Sequence, residues 1–190
     1  MNEIPKPVAI KHLGAIPVNS NINTAKCDLK AVALPTAVLT AHNQNALKLP
    51  IEERNLSLLL DSGGQRTLVS REAAERLGLE VIRKEDACLQ GYGSRSGKNN
   101  KFDVVNIKLG RMAERDPICI DAFVVPKMNP LHMAGASKFA KKLVSKGIRL
   151  ADWRLTESKT DIIAFDVLIG SDFFYKIVSP FTAPIQACSM

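Results

Sequence analysis

The pattern of apolar and polar positions is sharpest where a run of buried-type residues stops on an acid: Leu58-Leu59-Leu60 leads straight into Asp61-Ser62-Gly63-Gly64. A short continuous apolar run reads as a buried strand, which the pattern predicts over residues 55–60, with another over 66–69 leaving the loop. Ser70 reads as the N-cap of a brief helix through Glu72 and Arg76 that Gly78 ends. Residues 81–89 and 102–109 pair as a long hairpin whose tip is the polar, glycine-rich stretch from Gln90 to Asn100. A strand follows over 117–125, then a loop over 129–137 and a helix over 137–146. Ile162 to Gly170 reads as a second buried strand ending on glycine, after which Ser171 and Asp172 start a short helix through Ile177.

The beginning of the chain is less periodic. Residues 29–39 read as one strand interrupted by Pro35, a residue that demands an edge or bulge position. Residues 1–26 carry Pro5, Pro7, Pro17 and an Asn/Ser patch with little periodicity, so they are expected to be a poorly ordered leader or linker, and 27–190 the folded domain.

A chain of 190 residues is long enough for one domain with a real core, and 46% apolar with 24% charged residues is the balance of a soluble globular protein. No apolar run approaches the roughly 18 residues of a bilayer span, and the first residues lack the plan of a signal peptide. The expectation is a cytoplasmic protein with no membrane partner. Cys27, Cys88, Cys119 and Cys188 are widely spaced, and His12, His42 and His132 form no cluster with them, so neither a metal nor any other cofactor is expected.

The net charge of +7 permits attraction to nucleic acid. Much of the excess, however, sits on Lys138, Lys141, Lys142, Lys146, Arg149 and Arg154, which read as the solvated face of an amphipathic helix without interleaved aromatics. A nucleic-acid partner is therefore disfavoured. Gly97-Lys98 is no phosphate loop either, because Tyr92 stands where the earlier glycine is required and Asn99 where a hydroxyl residue is.

Burying an ionised carboxylate is costly unless hydrogen bonds or another charge compensate it, which makes Asp61 a candidate reactive group. Ser62 brings a hydroxyl, while Gly63 and Gly64 allow close approach. Taken alone, Asp-Ser-Gly is equally good turn chemistry. The picture changes when this segment is joined to Asp166-Val167-Leu168-Ile169-Gly170, about a hundred residues later, with the hairpin between them.

That order is similar to a retropepsin. More narrowly, Leu34-Pro35-Thr36-Ala37, Leu59 to Arg66, Ala74 to Leu79, Phe123 to Lys127 and Leu168 to Phe174 resemble the aspartic peptidase domain of BEL/Pao-type LTR retrotransposon polyproteins, over roughly residues 27–178. The resemblance implies a mainly β fold, a retropepsin-like closed β-barrel with short helices, here with one inserted basic helix. It also implies homodimerisation and hydrolysis of peptide bonds in polyprotein processing. Two carboxylates about 3 Å apart share a proton, as in aspartic proteases generally, so one acts as general base on water while its protonated partner supports the substrate carbonyl. The chain holds one Asp-Ser-Gly, so the second carboxylate must come from a second copy across a two-fold axis.

The expected roles follow from the resemblance. Asp61 is the catalytic acid or base, Ser62 a hydroxyl orienting the dyad, and Gly63 a carbonyl facing the substrate backbone. Gly64 belongs with the substrate-binding residues; Gly91, Tyr92 and Gly93 form a flap over an extended peptide, though Tyr92 also fits an exposed loop aromatic; Ile169 and Gly170 shape the floor. Asp172 either caps its helix or pairs with Arg66. The family often has Ser at the position of Gly64, and carries a Gly-Trp pair past its last helix, whereas the single tryptophan here is Trp153, so a C-terminal dimer strand is expected to be missing. The competing readings are an inactive or domesticated copy kept as a dimerisation or peptide-binding module, and a basic nucleic-acid-binding protein.

Overall fold

The computed structural model describes residues 9–12, 34–91, 99–110 and 117–178. Its strands are β1 (Ala9–His12), β2 (Thr36–Ala41), β3 (Asn55–Leu60), β4 (Leu68–Ser70), β5 (Val81–Gly91), β6 (Asn99–Gly110), β7 (Ile118–Val125), β8 (Leu131–His132), β9 (Ile162–Ile163) and β10 (Val167–Ile169). Five short helices accompany them: α1 (Ile51–Arg54), α2 (Arg71–Arg76), α3 (Ala136–Val144), α4 (Arg154–Glu157) and α5 (Ser171–Ile177). The fold is mainly β, as expected.

Backbone pairing runs round a ring: β2 to β3, β3 to β10, β10 to β4, β4 to β7, β7 to β6, and β6 back to β2. The hairpin partner β5 pairs with the first half of β6, on the edge opposite β7, antiparallel from Val81 to Cys88 against Asn99 to Val105, and β1 adds to β5 in parallel. Thus Ala9–His12, within the stretch expected to be a leader, pairs as a strand.

Period-two alternation sorts the side chains of the ring. Leu56 and Leu58, Val69, Val105 and Ile107, Ile120 and Ala122, and Val167 and Ile169 fill one cluster together with Ala73 and Ala74 of α2 and Leu77 just after it. Their neighbours turn the other way: Leu68, Val104, Phe102 and Phe123 form a second cluster, and Leu59 joins a third. Because both faces of β3 and β10 are covered, apolar residues run consecutively in each, Leu58-Leu59-Leu60 and Val167-Leu168-Ile169, rather than alternating. Each fully buried Leu or Ile contributes about 1.5–3 kcal/mol relative to exposure.

The segment between β7 and β10 builds that third cluster. Leu131, Met133, Ala136, Ala140, Leu155 and Ile163 pack on Leu59 and Leu168, and β8 pairs with β9 as a separate two-stranded sheet. Lys138, Lys141 and Lys142 on α3 are exposed while Ala136 and Ala140 are buried, but the other basic residues expected on this face are not on the helix: Lys146 and Arg149 follow it, and Arg154 lies on α4, half-buried and paired with Asp152 at 2.8 Å.

Several expectations need correction. The strand predicted over 29–39 begins only after Pro35, at Thr36, and its first five residues lie outside the described ones. The run from Ile162 to Gly170 is two strands in different sheets, because the chain turns at Asp166, whose amide donates to the Ser57 carbonyl (2.8 Å) and whose carbonyl accepts from Ser70 (2.9 Å). Ser70 does cap α2, its hydroxyl accepting from the Ala73 amide at 3.2 Å, and Gly78 follows the helix at φ +58°. The helix predicted over 137–146 stops at Val144, with Gly147 at φ +81° in the turn beyond it.

Candidate active site

Asp61 stands one residue past β3, at the end of a parallel pair in which Val167 lies opposite Leu58 and Ile169 opposite Leu60. This parallel partner fixes the loop. The Asp61 amide donates to the Ile169 carbonyl (2.9 Å), which continues the β3–β10 ladder beyond Leu60. Asp61 is half-buried, and its Oδ1 accepts from the Gly63 amide at 2.9 Å, a local turn that a short acidic side chain forms readily.

The rest of the loop is stitched to the start of α5. The Gly64 amide donates to the Asp61 carbonyl (3.1 Å), and the Ser171 amide donates to the Gly64 carbonyl (2.6 Å). Gly64 is therefore a buried part of the scaffold, whereas Ser62 is exposed and has no hydrogen bond to Asp61 among the described residues. Within one chain, the backbone of Gly63 orients the carboxylate.

Gly170 is required by close approach. A Cβ placed there would stand 2.6 Å from the Arg66 carbonyl carbon, 2.7 Å from its oxygen and 2.8 Å from its nitrogen, all backbone atoms that cannot swing away. The Gly170 amide donates to the Thr67 hydroxyl (3.1 Å). That hydroxyl in turn donates to Asp172 Oδ1 (2.8 Å), and the Thr67 amide donates to Asp172 Oδ2 (3.0 Å).

Asp172 thus takes neither role foreseen for it. It makes no cap hydrogen bond on α5, and Arg66 lies instead 3.7 Å from Glu85 and over the Phe123 ring, 5.5 Å from its centroid. The loop bearing Asp61 is held between Thr67 and Asp172 on one side and Ile169 on the other. Ile169 is fully buried, with its side chain in the core and its carbonyl accepting from the Asp61 amide.

A second polar knot ties the opposite end of β3 to β10. Asp166 Oδ2 accepts from the Ser57 amide (2.9 Å) and hydroxyl (2.6 Å), and Asp166 Oδ1 lies 3.3 Å from the Arg76 guanidinium. Arg76 also donates to the carbonyls of Glu53 and Asn55. Sequence reading missed Ser57, Thr67 and Arg76 as supports of the site. The one local signal was the polar Ser57 among the leucines of β3; nothing local pairs residues 90 to 109 positions apart.

Of the expected flap, β5 runs to Gly91, and Tyr92 and Gly93 lie outside the described residues. Cys88 and Cys119 are free thiols, and Cys27 and Cys188 lie outside the described residues. Among the described residues no cluster of three or more His, Cys, Asp or Glu could hold a metal ion, and no helix is long and apolar enough to cross a membrane.

Residues 47–133 match the family model described as aspartyl protease. The match covers β3, the Asp61 loop, α2 and the hairpin, somewhat under half of the chain, and ends before β10. No curated protein matches the chain. An aspartic protease domain, with hydrolysis of peptide bonds as its general activity, is what this match supports.

Proposed function

We propose that this protein is a homodimeric aspartic endopeptidase in which two Asp61 carboxylates, one from each copy, activate the water that cleaves a peptide bond in a retroelement polyprotein. The observation that carries the reading is the placement of Asp61 at the end of the parallel β3–β10 pair, held by the Ile169 carbonyl and the Gly63 amide. This leaves a half-buried carboxylate at the rim of the ring rather than inside the apolar core.

In the proposed reaction one carboxylate takes a proton from water as the oxygen attacks the scissile carbonyl carbon, while the protonated partner donates to the carbonyl oxygen. Collapse of the tetrahedral intermediate breaks the C–N bond: the proton first taken from water passes to the leaving amine, and one hydroxyl of the intermediate returns its proton to the partner carboxylate as the new carboxyl group forms. Asp61 is the catalytic residue; Ser62 is free to meet its counterpart across the two-fold axis; Gly91, Tyr92 and Gly93 close over the peptide. The strand ring closes as the retropepsin-like barrel in this reading.

Purified protein assayed with a fluorogenic peptide library at acid to neutral pH should cleave, and Asp61→Asn should abolish cleavage while leaving the sedimentation of a dimer unchanged. Equal cleavage by both proteins, or a strict monomer that cleaves, would overturn the proposal.

A further inference from the structure

The charge of the chain is unevenly placed. Between Asp121 and Asp152 stand six Lys or Arg and no Asp or Glu, so this one stretch carries most of the net +7. Lys138, Lys141, Lys142, Lys146 and Arg149 lie on α3 and the turn after it, all exposed, and none of them makes an ion pair among the described residues. Arg66, Arg76, Arg83, Lys84 and Arg154, by contrast, each meet a carboxylate.

The same segment leaves large apolar side chains in solvent: Val144 is 48%, Ile148 47% and Trp153 50% exposed. Single apolar residues on a surface need no explanation, but three so close together among unpaired cations do. The turn that carries them is a built one. The Gly147 amide donates to the Val144 carbonyl (2.9 Å) and the Ile148 amide to the Leu143 carbonyl (3.1 Å), with Gly147 at φ +81°, the paired bonds of a glycine-terminated helix end. A Cβ at Gly147 would meet nothing within 4 Å, so the turn projects into open space. Ala136, Ala140 and Leu155 already anchor α3 and α4 in the third cluster, which leaves the projecting side chains surplus to the core.

We infer that the end of α3 and the turn beyond it form a docking surface for an anionic phospholipid bilayer. Val144, Ile148 and Trp153 enter the interface, while Lys141, Lys142, Lys146 and Arg149 meet the lipid phosphates. Aliphatic side chains gain from entering a bilayer interface and offer a nucleic-acid base nothing to stack on, and tryptophan settles at headgroup level, so the mixture favours lipid over nucleic acid. The expectation of no membrane partner rested on the lack of a spanning segment, and a contact that enters only about 5–10 Å needs none. The inference is independent of the peptidase reading, because it uses no residue of the Asp61 site.

Trp153 is the single tryptophan of the chain, so its emission reports the contact directly. The full chain should co-sediment with phosphatidylcholine vesicles that contain phosphatidylserine, with its emission shifted to shorter wavelength, and should do neither with phosphatidylcholine alone. Each Lys near an anionic surface contributes about fivefold in affinity, so Lys142→Gln with Lys146→Gln should weaken binding by roughly 25-fold, and the charge-matched Lys101→Gln with Lys108→Gln by about twofold or less. Ile148→Asp should abolish the emission shift. All five substituted side chains are exposed, so folding is not at stake. Equal weakening by the two double variants, or binding without an emission shift, would overturn the surface. So would tighter binding to single-stranded poly(U) RNA than to the anionic vesicles.

Discussion

Thr67 and Asp172, 105 positions apart, face each other through two hydrogen bonds: the Thr67 amide and hydroxyl both donate to the Asp172 carboxylate, at 3.0 and 2.8 Å. Thr67 is 1% exposed, so neither donor has water as a substitute. The pair locks the exit of the Asp61 loop to the first turn of α5.

Asp172→Ala is therefore expected to cost about 1–3 kcal/mol, the usual cost of stranding buried donors. Thr67→Val, which also strands the buried Gly170 amide, should cost a similar amount, and the double variant less than the sum of the two. Urea unfolding of the four proteins measures the coupling; strict additivity would mean that the contact carries no energy.

Gly170→Ala should be at least as damaging. Its Cβ would press on the Arg66 backbone, and overpacking of this kind costs about 1–3 kcal/mol. Because Arg66 lies on the loop from Asp61 to Thr67, peptide cleavage should fall further than stability alone explains, which parallel unfolding and activity assays would separate.

The knot at the other end of β3 gives a rank order. Asp166→Ala strands the amide and hydroxyl of buried Ser57 and should cost about 1–3 kcal/mol. Arg76→Leu removes a pair whose side chains are 30% and 27% exposed, and should cost about 1 kcal/mol or less. Melting temperatures in the opposite order would show that the guanidinium, not the serine, is the important partner of Asp166.

A pH effect is expected on the ring itself. Burial pushes the Asp121 carboxyl upward, but hydrogen bonds from Asn106 (2.8 Å) and Arg83 (2.7 Å) outweigh it and hold the group below its ordinary value of 3.8. The native state then binds fewer protons than the unfolded chain in that range, so Asp121 stabilises the fold above 3.8 and loses that contribution as pH falls through its lowered native value. Asp121→Asn should be less stable than wild type at neutral pH, with the two converging in acid; a constant gap across an acid titration followed by unfolding would exclude this linkage.

Much of this was legible in the sequence because local chemistry sets it. The apolar run of β3 ends on Asp61, Ser70 offers a cap, and the two long strands flank a polar tip. What was hidden depends on distant partners. The apolar residues on either side of Asp166 do not reveal that 162–170 bends there, since the bend is imposed by Ser57 and Ser70. The helices α1 and α4 span four residues each, too few for a helical period to register. Asp172 looked like a helix cap because its true partner, Thr67, is distant in sequence.

The parallel pairing of β3 with β10 also sets a clock. During synthesis the Asp61 loop leaves the ribosome long before Ile169, whose carbonyl receives the Asp61 amide, and before Gly170 and Asp172, which hold Thr67. Until those residues emerge, the nascent chain carries the acid without the scaffold that aims it. The loop reaches its final geometry only once the last strand of the ring is in place.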